Sequence, residues 1–205
     1  MNSRQIIITV LVAIAAYFIG GLSPAVFISK KVTGNDIRNS GSGNAGATNI
    51  MRHIGVRLGV LTFVLDVLKG ALPTLLAMLL VGRYAAYVVG LAVVLGHVFP
   101  VFLGFKGGKG VATSFGMLLM LQPLLAVVLV LLALAIMFAT RIVSLGAIIA
   151  VTLFPVCGLL IPGGGWEFAV FSLLVCGLII FKHRENIVRI FKGTENKIDP
   201  KKLKR

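Results

Sequence analysis

The sequence is poor in charged residues, which make up only 13% of its 205 positions. A soluble domain carries about a quarter of its residues as charges, so this chain has too little polar surface to cover a water-soluble globule. Its two cysteines lie in apolar runs and form no Cys-x-x-Cys pair, which excludes a disulfide-rich secreted module. Acidic residues are rarer than basic ones, with 6 Asp and Glu against 20 Lys and Arg, and 58% of the chain is hydrophobic. These proportions predict an integral membrane protein.

Six apolar runs approach the length of about 20 residues that a helix needs to cross the hydrocarbon of a bilayer. They are 6–28, 58–81, 84–105, 111–139, 142–161 and 166–181. Gln122-Pro123 interrupts the fourth run, and the residue before a proline readily leaves the helical region. We therefore expect two short helices there, 111–121 and 124–139. The predicted fold is all-α and polytopic, with seven transmembrane helices, some of them short.

The basic residues predict the orientation, because cytoplasmic loops are rich in Lys and Arg. With seven crossings, Lys69 lies in the membrane and only Arg4 and Arg83 fall outside. The N-terminus is then outside and the C-terminus cytoplasmic, in a single domain of residues 1–205 with a basic tail at about 197–205. Topology and attraction to anionic lipid explain most of this charge. We expect no nucleic-acid partner, since no such binding motif is present.

Three segments expected on the cytoplasmic side have an unusual composition. The first runs from Arg38 to Asn49 and continues to Arg52. It consists mostly of Gly, Ala, Ser, Thr and Asn, small residues whose backbone amides can curl around an anion. Residues 41–46 satisfy Gly-x-Gly-x-x-Gly, but no strand precedes them, so a dinucleotide site is not supported. The segment predicts a phosphate site, with a flexible linker as the alternative.

The second segment joins Gly96-His97 to Gly104-Phe105-Lys106-Gly107-Gly108-Lys109-Gly110. Two lysines among glycines at a membrane boundary offer ammonium groups and exposed amides to a phosphate. This is not a Walker A loop, because Gly110 follows Lys109 where Ser or Thr is required. The lysines could instead anchor the chain at the interface, and His97 could be a packed or capping histidine.

The third segment, 182–189, follows the last span directly. On a continuing helix, His183, Asn186 and Arg189 would share one face, being three residues apart. A solvated juxtamembrane face is the alternative. Arg141 and Ser144, at another helix start, could join the same site. Asp36 and Glu185 are the only acidic residues expected near these motifs, so no set of metal ligands is predicted. Asp66 and Lys69 are expected to pair with each other within the second span.

Together the three segments resemble the PlsY family of bacterial acyl-phosphate:glycerol-3-phosphate acyltransferases. The matching motifs are residues 41–49, then Gly96-His97 through residues 105–113, and His183-Arg184-Glu185-Asn186-Ile187. The resemblance covers the chain up to about Lys197. It implies a seven-helix enzyme that transfers an acyl group from acyl-phosphate to the 1-hydroxyl of glycerol-3-phosphate. The products are lysophosphatidic acid and inorganic phosphate, in the first step of phospholipid synthesis.

The resemblance also implies roles for individual residues. The donor phosphate and carbonyl would be held by Ser42, Gly43, Asn44, Ala47 and Thr48. Glycerol-3-phosphate would be held by Arg52, Lys109, His183 and Ser144, with His183 and Asn186 orienting its hydroxyl. Further substrate-binding residues are expected at Asn49, His97, Lys106, Gly107, Gly108 and Gly110. Catalysis would depend on Ser42, His183 and Asn186, and either His183 or a substrate phosphate could take the proton. A covalent acyl-Ser42 is an alternative.

We further expect no metal and no cofactor, and a monomer in contact with membrane lipid. The location implied is the bacterial cytoplasmic (inner) membrane, with the active site facing the cytoplasm. The competing hypothesis is a transporter of phosphate or a small organic phosphate. A transporter would place its charged or broken segments near the bilayer midplane, whereas here they cluster at one boundary.

Overall fold

A computed structural model describes residues 1–161 and 165–198. Within these ranges the chain is helical and contains no β-strand, which confirms the all-α prediction. Residues 162–164 and the basic tail beyond 198 lie outside the described residues. The chain divides into two compact units, the first Met1–Leu121 and the second beginning at Gln122. The single domain of residues 1–205 stays a prediction.

The first unit contains six α-helices and two short 3-10 turns. The helices are α1 Ser3–Gly21, α2 Pro24–Thr33, α3 Ala47–His53, α4 Val56–Leu80, α5 Arg83–Val98 and α6 Val111–Leu121. Helix α1 packs along α5, and α4 packs along both α5 and α6. Gly20 lies against the backbone of Val93, and Gly70 lies against the backbone of Thr113, so a side chain at either position would separate the helices. Small residues at such crossings let membrane helices approach closely.

The second unit contains α7 Pro123–Thr140, α8 Val143–Leu160, α9 Trp166–Lys182 and α10 Arg184–Phe191. Helix α8 packs against both α7 and α9. Between α8 and α9 lies an aromatic cluster in which the ring of Phe154 meets those of Phe168 and Phe171 edge-on, with centroids 5.6 and 6.5 Å apart. These buried rings hold α9 beside the helix that carries Ser144.

Five helical segments of the described residues are long and apolar enough to cross a membrane. They are Ser3–Thr33, Val56–Leu80, Arg83–Leu103, Pro123–Thr140 and Val143–Leu160. A sixth results if α9 and α10, which are bent by 61°, count as one span. Large apolar side chains such as Leu79, Phe138 and Leu160 are at least 75% exposed, as expected for surfaces that face lipid. The count of seven crossings would also need the 11-residue α6, and it stays a prediction, as does the orientation.

Prolines mark two helix breaks. The break predicted at Gln122-Pro123 is confirmed, because α6 ends at Leu121 and α7 begins at Pro123. The apolar run predicted over 6–28 lies within one candidate span, Ser3–Thr33, but this span contains a short break, because α1 ends at Gly21 and α2 begins at Pro24. Ser23 caps the new helix by accepting a hydrogen bond from the amide of Val26, at 3.3 Å. An apolar run continues through this break, so hydropathy alone does not reveal it.

Candidate active site

Residues 40–46, which we name the serine–asparagine loop, are shaped by one buried amide. The loop needs glycine at two bends, Gly41 and Gly43, whose φ angles are +60° and +68°. From α3, the Nδ2 atom of Asn49 reaches the carbonyl oxygens of Ile37, Ser40 and Asn44 at 3.0–3.2 Å. Its Oδ1 accepts from the Ser42 amide at 3.4 Å. Asn49, predicted as a substrate ligand, is therefore the template of the loop.

Residues 104–110, named here the glycine loop, lead from α5 into α6. The chain leaves a 3-10 turn, Val101–Leu103, and bends through Gly104 and Phe105, with φ angles of +62° and +61°. The Gly108 amide then donates to the His97 carbonyl oxygen at 3.1 Å. Lys106 is exposed and Lys109 half-buried. The loop thus presents two ammonium groups, as its sequence predicts.

The two loops lie against each other. Gly108 sits between the imidazole of His97 and the carbonyl oxygen of Ala45, with no room for a Cβ atom. On a second flank, the Nη1 atom of Arg38 donates to the carbonyl oxygens of Leu103 at 2.9 Å and of Lys106 at 3.4 Å. The first two sequence motifs are therefore one arrangement and not two independent segments.

A buried polar triad supports this arrangement from within the helices. The predicted pairing of Asp66 and Lys69 is confirmed, with Nζ and Oδ1 2.8 Å apart. Lys69 also donates to the carbonyl oxygen of Leu22, in the gap between α1 and α2. The Nδ1 atom of His97 lies 3.5 Å from the same Asp66 oxygen. His97 is 7% exposed, and its ring lies against Gly108.

Asp36 and Arg38 form the main ion pair before the serine–asparagine loop. The carboxylate accepts from Nε at 3.0 Å and from Nη2 at 2.8 Å, a two-pronged geometry that suits the planar guanidinium. The hydrogen bond and charge of Arg38 lower the pKa of Asp36 to about 2, and the same hydrogen bond raises the pKa of Arg38. Both groups are therefore charged throughout the neutral range.

In the second unit, three polar side chains converge on Glu195. We name this group the Glu195 cluster: Ser144 Oγ and Asn186 Nδ2 donate to Oε1 at 3.0 and 2.7 Å, and Arg189 Nε donates to Oε2 at 2.8 Å. Burial alone would raise the pKa of Glu195, but the hydrogen bonds from Arg189, Asn186 and Ser144 outweigh it and lower that pKa. The carboxylate is thus anionic at neutral pH and accepts from its three donors.

The structure corrects two expectations about this region. The helix expected to continue through His183 does not do so, because the chain bends by 61° between α9 and α10, where His183 lies. Asp36 and Glu185 are also not the only acidic residues near the motifs, since Glu195 contacts two of the predicted site residues. Nothing local in the sequence marks Glu195, which meets Ser144 across 51 positions.

The imidazole of His183 is buried and held by the helix that precedes it. Its Nδ1 lies 2.8 Å from the carbonyl oxygen of Ile179 and the residue is 2% exposed. A carbonyl oxygen can only accept, so Nδ1 carries the hydrogen, and in the neutral ring Nε2 is the basic atom. This tautomer suits a residue that accepts a proton or a hydroxyl hydrogen bond at Nε2.

The predicted site residues thus fall into two groups, each described within its own unit. The first comprises Ser42, Gly43, Asn44, Ala47, Thr48, Asn49, Arg52, His97, Lys106, Gly107, Gly108, Lys109 and Gly110; the second comprises Ser144, His183 and Asn186. Sequence reasoning missed Glu195 and the role of Arg38. Among the described residues no group of three or more His, Cys, Asp or Glu could hold a metal ion.

Comparison with known proteins gives one consistent result. Residues 10–193 match the family model described as glycerol-3-phosphate acyltransferase. A glycerol-3-phosphate acyltransferase of Alkaliphilus metalliredigens is 45% identical over 194 residues, covering 95% of this chain and 98% of the relative. The corresponding protein of Clostridioides difficile is 38% identical over 199 residues, covering 94% and 97%.

Two solved structures also resemble this chain. The crystal structure of PlsY, an integral membrane glycerol 3-phosphate acyltransferase, in its glycerol 3-phosphate form has a TM-score of 0.88 and 40% identity, covering 93% of this chain and 96% of that one. The lysophosphatidic acid form has a TM-score of 0.85 and 38% identity, covering 95% and 97%.

Proposed function

The chain belongs to the glycerol-3-phosphate acyltransferase family, and we propose that it moves an acyl group from an acyl-phosphate to the 1-hydroxyl of glycerol-3-phosphate. Membership of this family supports glycerol-3-phosphate as the acceptor and acyl transfer as the reaction type. One observation of the structure carries the site: the serine–asparagine loop and the glycine loop touch through Gly108 and Ala45. Two anion-suited loops in contact fit a reaction whose substrates both bear phosphate.

The serine–asparagine loop is proposed to hold the acyl-phosphate. Ser42 and Gly43 are exposed at its tip, and Asn44 is half-buried beside them. Their amides and the Ser42 hydroxyl can donate to the phosphate and to the carbonyl oxygen on which charge develops during attack. Ala47 and Thr48 follow in the first turn of α3 and are assigned to the same phosphate. The Asn49 template keeps these donors in place before substrate arrives, which lowers the ordering cost.

Glycerol-3-phosphate is proposed to bind through Lys109 and Arg52, both half-buried cations of the first unit. Amides of Gly107, Gly108 and Gly110 would add hydrogen bonds, and the exposed Lys106 would attract the dianion. A phosphate dianion can accept charge-assisted hydrogen bonds from both cations, which are stronger than bonds between neutral groups. His97 is assigned a supporting role under Gly108.

His183 and Asn186 are proposed to orient the attacking hydroxyl, with Ser144 close to Asn186 through their shared carboxylate. The amide nitrogen of Asn186 holds Glu195, so a hydroxyl hydrogen would be accepted by its oxygen, Oδ1. Nε2 of His183 is the second candidate acceptor, since Nδ1 donates to Ile179. The Glu195 cluster would fix this geometry.

In the proposed reaction, the oxygen of the glycerol-3-phosphate hydroxyl bonds to the acyl carbon. The bond from that carbon to the phosphate oxygen breaks, and its electron pair leaves with inorganic phosphate. The hydroxyl proton passes either to His183 or to the leaving phosphate. Phosphate is a good leaving group, so positioning and charge stabilisation can carry much of the rate without a protein nucleophile. An acyl-Ser42 intermediate is the alternative route.

We place the reaction at the cytoplasmic face of a bacterial inner membrane and expect one chain to suffice. The transporter alternative has no support, because the matched relatives bear the name of an acyltransferase. A cysteine introduced at the exposed Lys106 should react with a membrane-impermeant maleimide in inside-out vesicles. Labelling of right-side-out cells instead would reverse the proposed orientation.

The function is tested with purified protein in detergent, given acyl-phosphate and labelled glycerol-3-phosphate without added metal. We expect labelled lysophosphatidic acid and an equal amount of released phosphate. Ser42→Ala, Lys109→Ala and His183→Ala should each lower kcat/KM at least tenfold, about 1.4 kcal/mol. Lys192→Ala, at an exposed lysine, is the matched control. Absence of product, with uptake of labelled substrate into proteoliposomes, would refute the enzyme and support a transporter.

A further inference from the structure

Arg38 uses its guanidinium to join two parts of the chain that are far apart in sequence. Nε and Nη2 bind the carboxylate of Asp36, at 3.0 and 2.8 Å. Nη1 points the other way and donates to the carbonyl oxygens of Leu103 and Lys106, at 2.9 and 3.4 Å. The side chain is 24% exposed and that of Asp36 only 12%, so much of this network is shielded from water.

The two carbonyl groups that Arg38 holds flank the bend of the glycine loop. Between Leu103 and Lys106 lie Gly104 and Phe105, both with positive φ angles. A bulky residue such as Phe is an outlier in this region, and such backbone persists only where its surroundings hold it. Arg38 supplies such a hold on both sides of the bend, immediately before Gly107 and Lys109.

Only arginine can make this set of contacts. Its five N–H donors lie in one rigid plane, so a carboxylate can occupy one edge while carbonyl oxygens occupy the other. A lysine has one nitrogen on a flexible stem and would keep either the ion pair with Asp36 or the carbonyl contacts, but not this arrangement. Arg38→Lys therefore removes the link while it preserves the charge.

We infer that Arg38 is a positioning residue of the acyl transfer, which sets the glycine loop at the serine–asparagine loop so that Lys109 meets glycerol-3-phosphate. This inference rests on the proposed function. Its guanidinium is committed to Asp36 and to the glycine loop, so it acts through the loop and does not touch substrate. Gly108, which lies against Ala45 and His97, forms a second contact between the glycine loop and its surroundings.

The test compares wild type, Arg38→Lys and Arg38→Ala, with Arg57→Lys and Arg57→Ala as matched changes at an exposed arginine of the same unit. For each, kcat and the KM of both substrates are measured along with the unfolding temperature in detergent. We expect Arg38→Lys to lower kcat/KM at least about tenfold, mainly through a higher KM for glycerol-3-phosphate. Its unfolding temperature should stay within about 2 °C of wild type. Millimolar guanidinium should restore part of the activity of Arg38→Ala.

Three results would overturn the inference while leaving the proposed function intact: wild-type kinetics in Arg38→Lys, a loss of activity that parallels a loss of stability, or a loss confined to kcat. Equal losses in the Arg57 variants would also count against it. Failure of the wild-type protein to form lysophosphatidic acid would instead refute the proposed function. If Arg38→Ala does not fold, Arg38→Lys alone decides, since it retains the positive charge beside Asp36.

Discussion

Gly108→Ala perturbs the contact between the two loops by a single methyl group. A Cβ atom at this position would overlap the imidazole of His97 and come within 3.0 Å of the Ala45 carbonyl oxygen. The ring cannot easily swing aside, because the residue is 7% exposed and Nδ1 faces Asp66 at 3.5 Å. To reach ordinary van der Waals contact, the glycine loop must move by about 1 Å.

Two magnitudes follow from this displacement. Overpacking of this kind costs about 1–3 kcal/mol of stability. A misplacement of about 1 Å in a positioned group can cost roughly 100-fold in rate, which corresponds to about 2.7 kcal/mol of transition-state stabilisation. We therefore expect Gly108→Ala to fold but to lose most of its acyltransferase activity.

The assay is phosphate release from acyl-phosphate in the presence of glycerol-3-phosphate, with the unfolding temperature measured on the same samples. Gly177→Ala is the matched control, because this helical glycine has open space where the Cβ would lie. That control should keep wild-type activity and gain up to about 1 kcal/mol from helix propensity. A kcat/KM for Gly108→Ala within about threefold of wild type would refute the reasoning that the loops need this close contact.

Three further predictions follow from the polar contacts. Glu195→Gln should lower kcat/KM at least about tenfold, because charge-assisted hydrogen bonds to Asn186 and Arg189 are weakened; Glu167→Gln, in the first turn of α9 and outside the cluster, is the control, and equal effects would contradict the role of the cluster. Asn49→Asp should destabilise the first unit by about 2 kcal/mol or more in chemical unfolding, because a carboxylate cannot donate to the carbonyls of Ile37, Ser40 and Asn44; an unchanged unfolding midpoint would exclude the template. The pKa values of Glu195 and Asp36 are lowered in the folded protein, so both ionised carboxylates stabilise the fold. This contribution is fully present above the ordinary pKa values of 4.5 for Glu195 and 3.8 for Asp36. It is lost as the pH falls through the folded pKa values, which for Asp36 is about 2. The unfolding temperature should therefore stay level from about pH 8 to pH 5. A decline of the unfolding temperature within that window could not be caused by these two carboxylates.

Two features of the fold show how far local sequence carries a prediction. Gln122-Pro123 predicts the break between α6 and α7 because proline restricts its neighbour through the covalent chain. Asp66 and Lys69 are expected to pair because residues three apart share a helix face. The Ser23-Pro24 break was missed although it carries the same kind of signal, since the apolar residues on both sides of it keep the hydropathy of the run high.

The candidate site residues were predicted from residue type and spacing, which do not predict their partners. The loops were expected to bind anions because glycines and lysines have that chemistry wherever they lie. Asn49 was assigned to substrate, whereas its Nδ2 is directed at the carbonyl groups of Ile37, Ser40 and Asn44, in and just before the serine–asparagine loop. The helical face expected for His183 and Asn186 is interrupted by a bend that no residue type in the segment requires.

The sequence by itself determined that this protein is helical, lies in a membrane and carries phosphate-suited motifs, because apolar run length and loop composition are local properties. Only the tertiary structure decided which groups meet. Arg38 reaches Leu103 across 65 positions, and Ser144 reaches Glu195 across 51. Such contacts depend on how helices pack, and close approaches such as those at Gly20 and Gly70 leave no periodic signal along the chain.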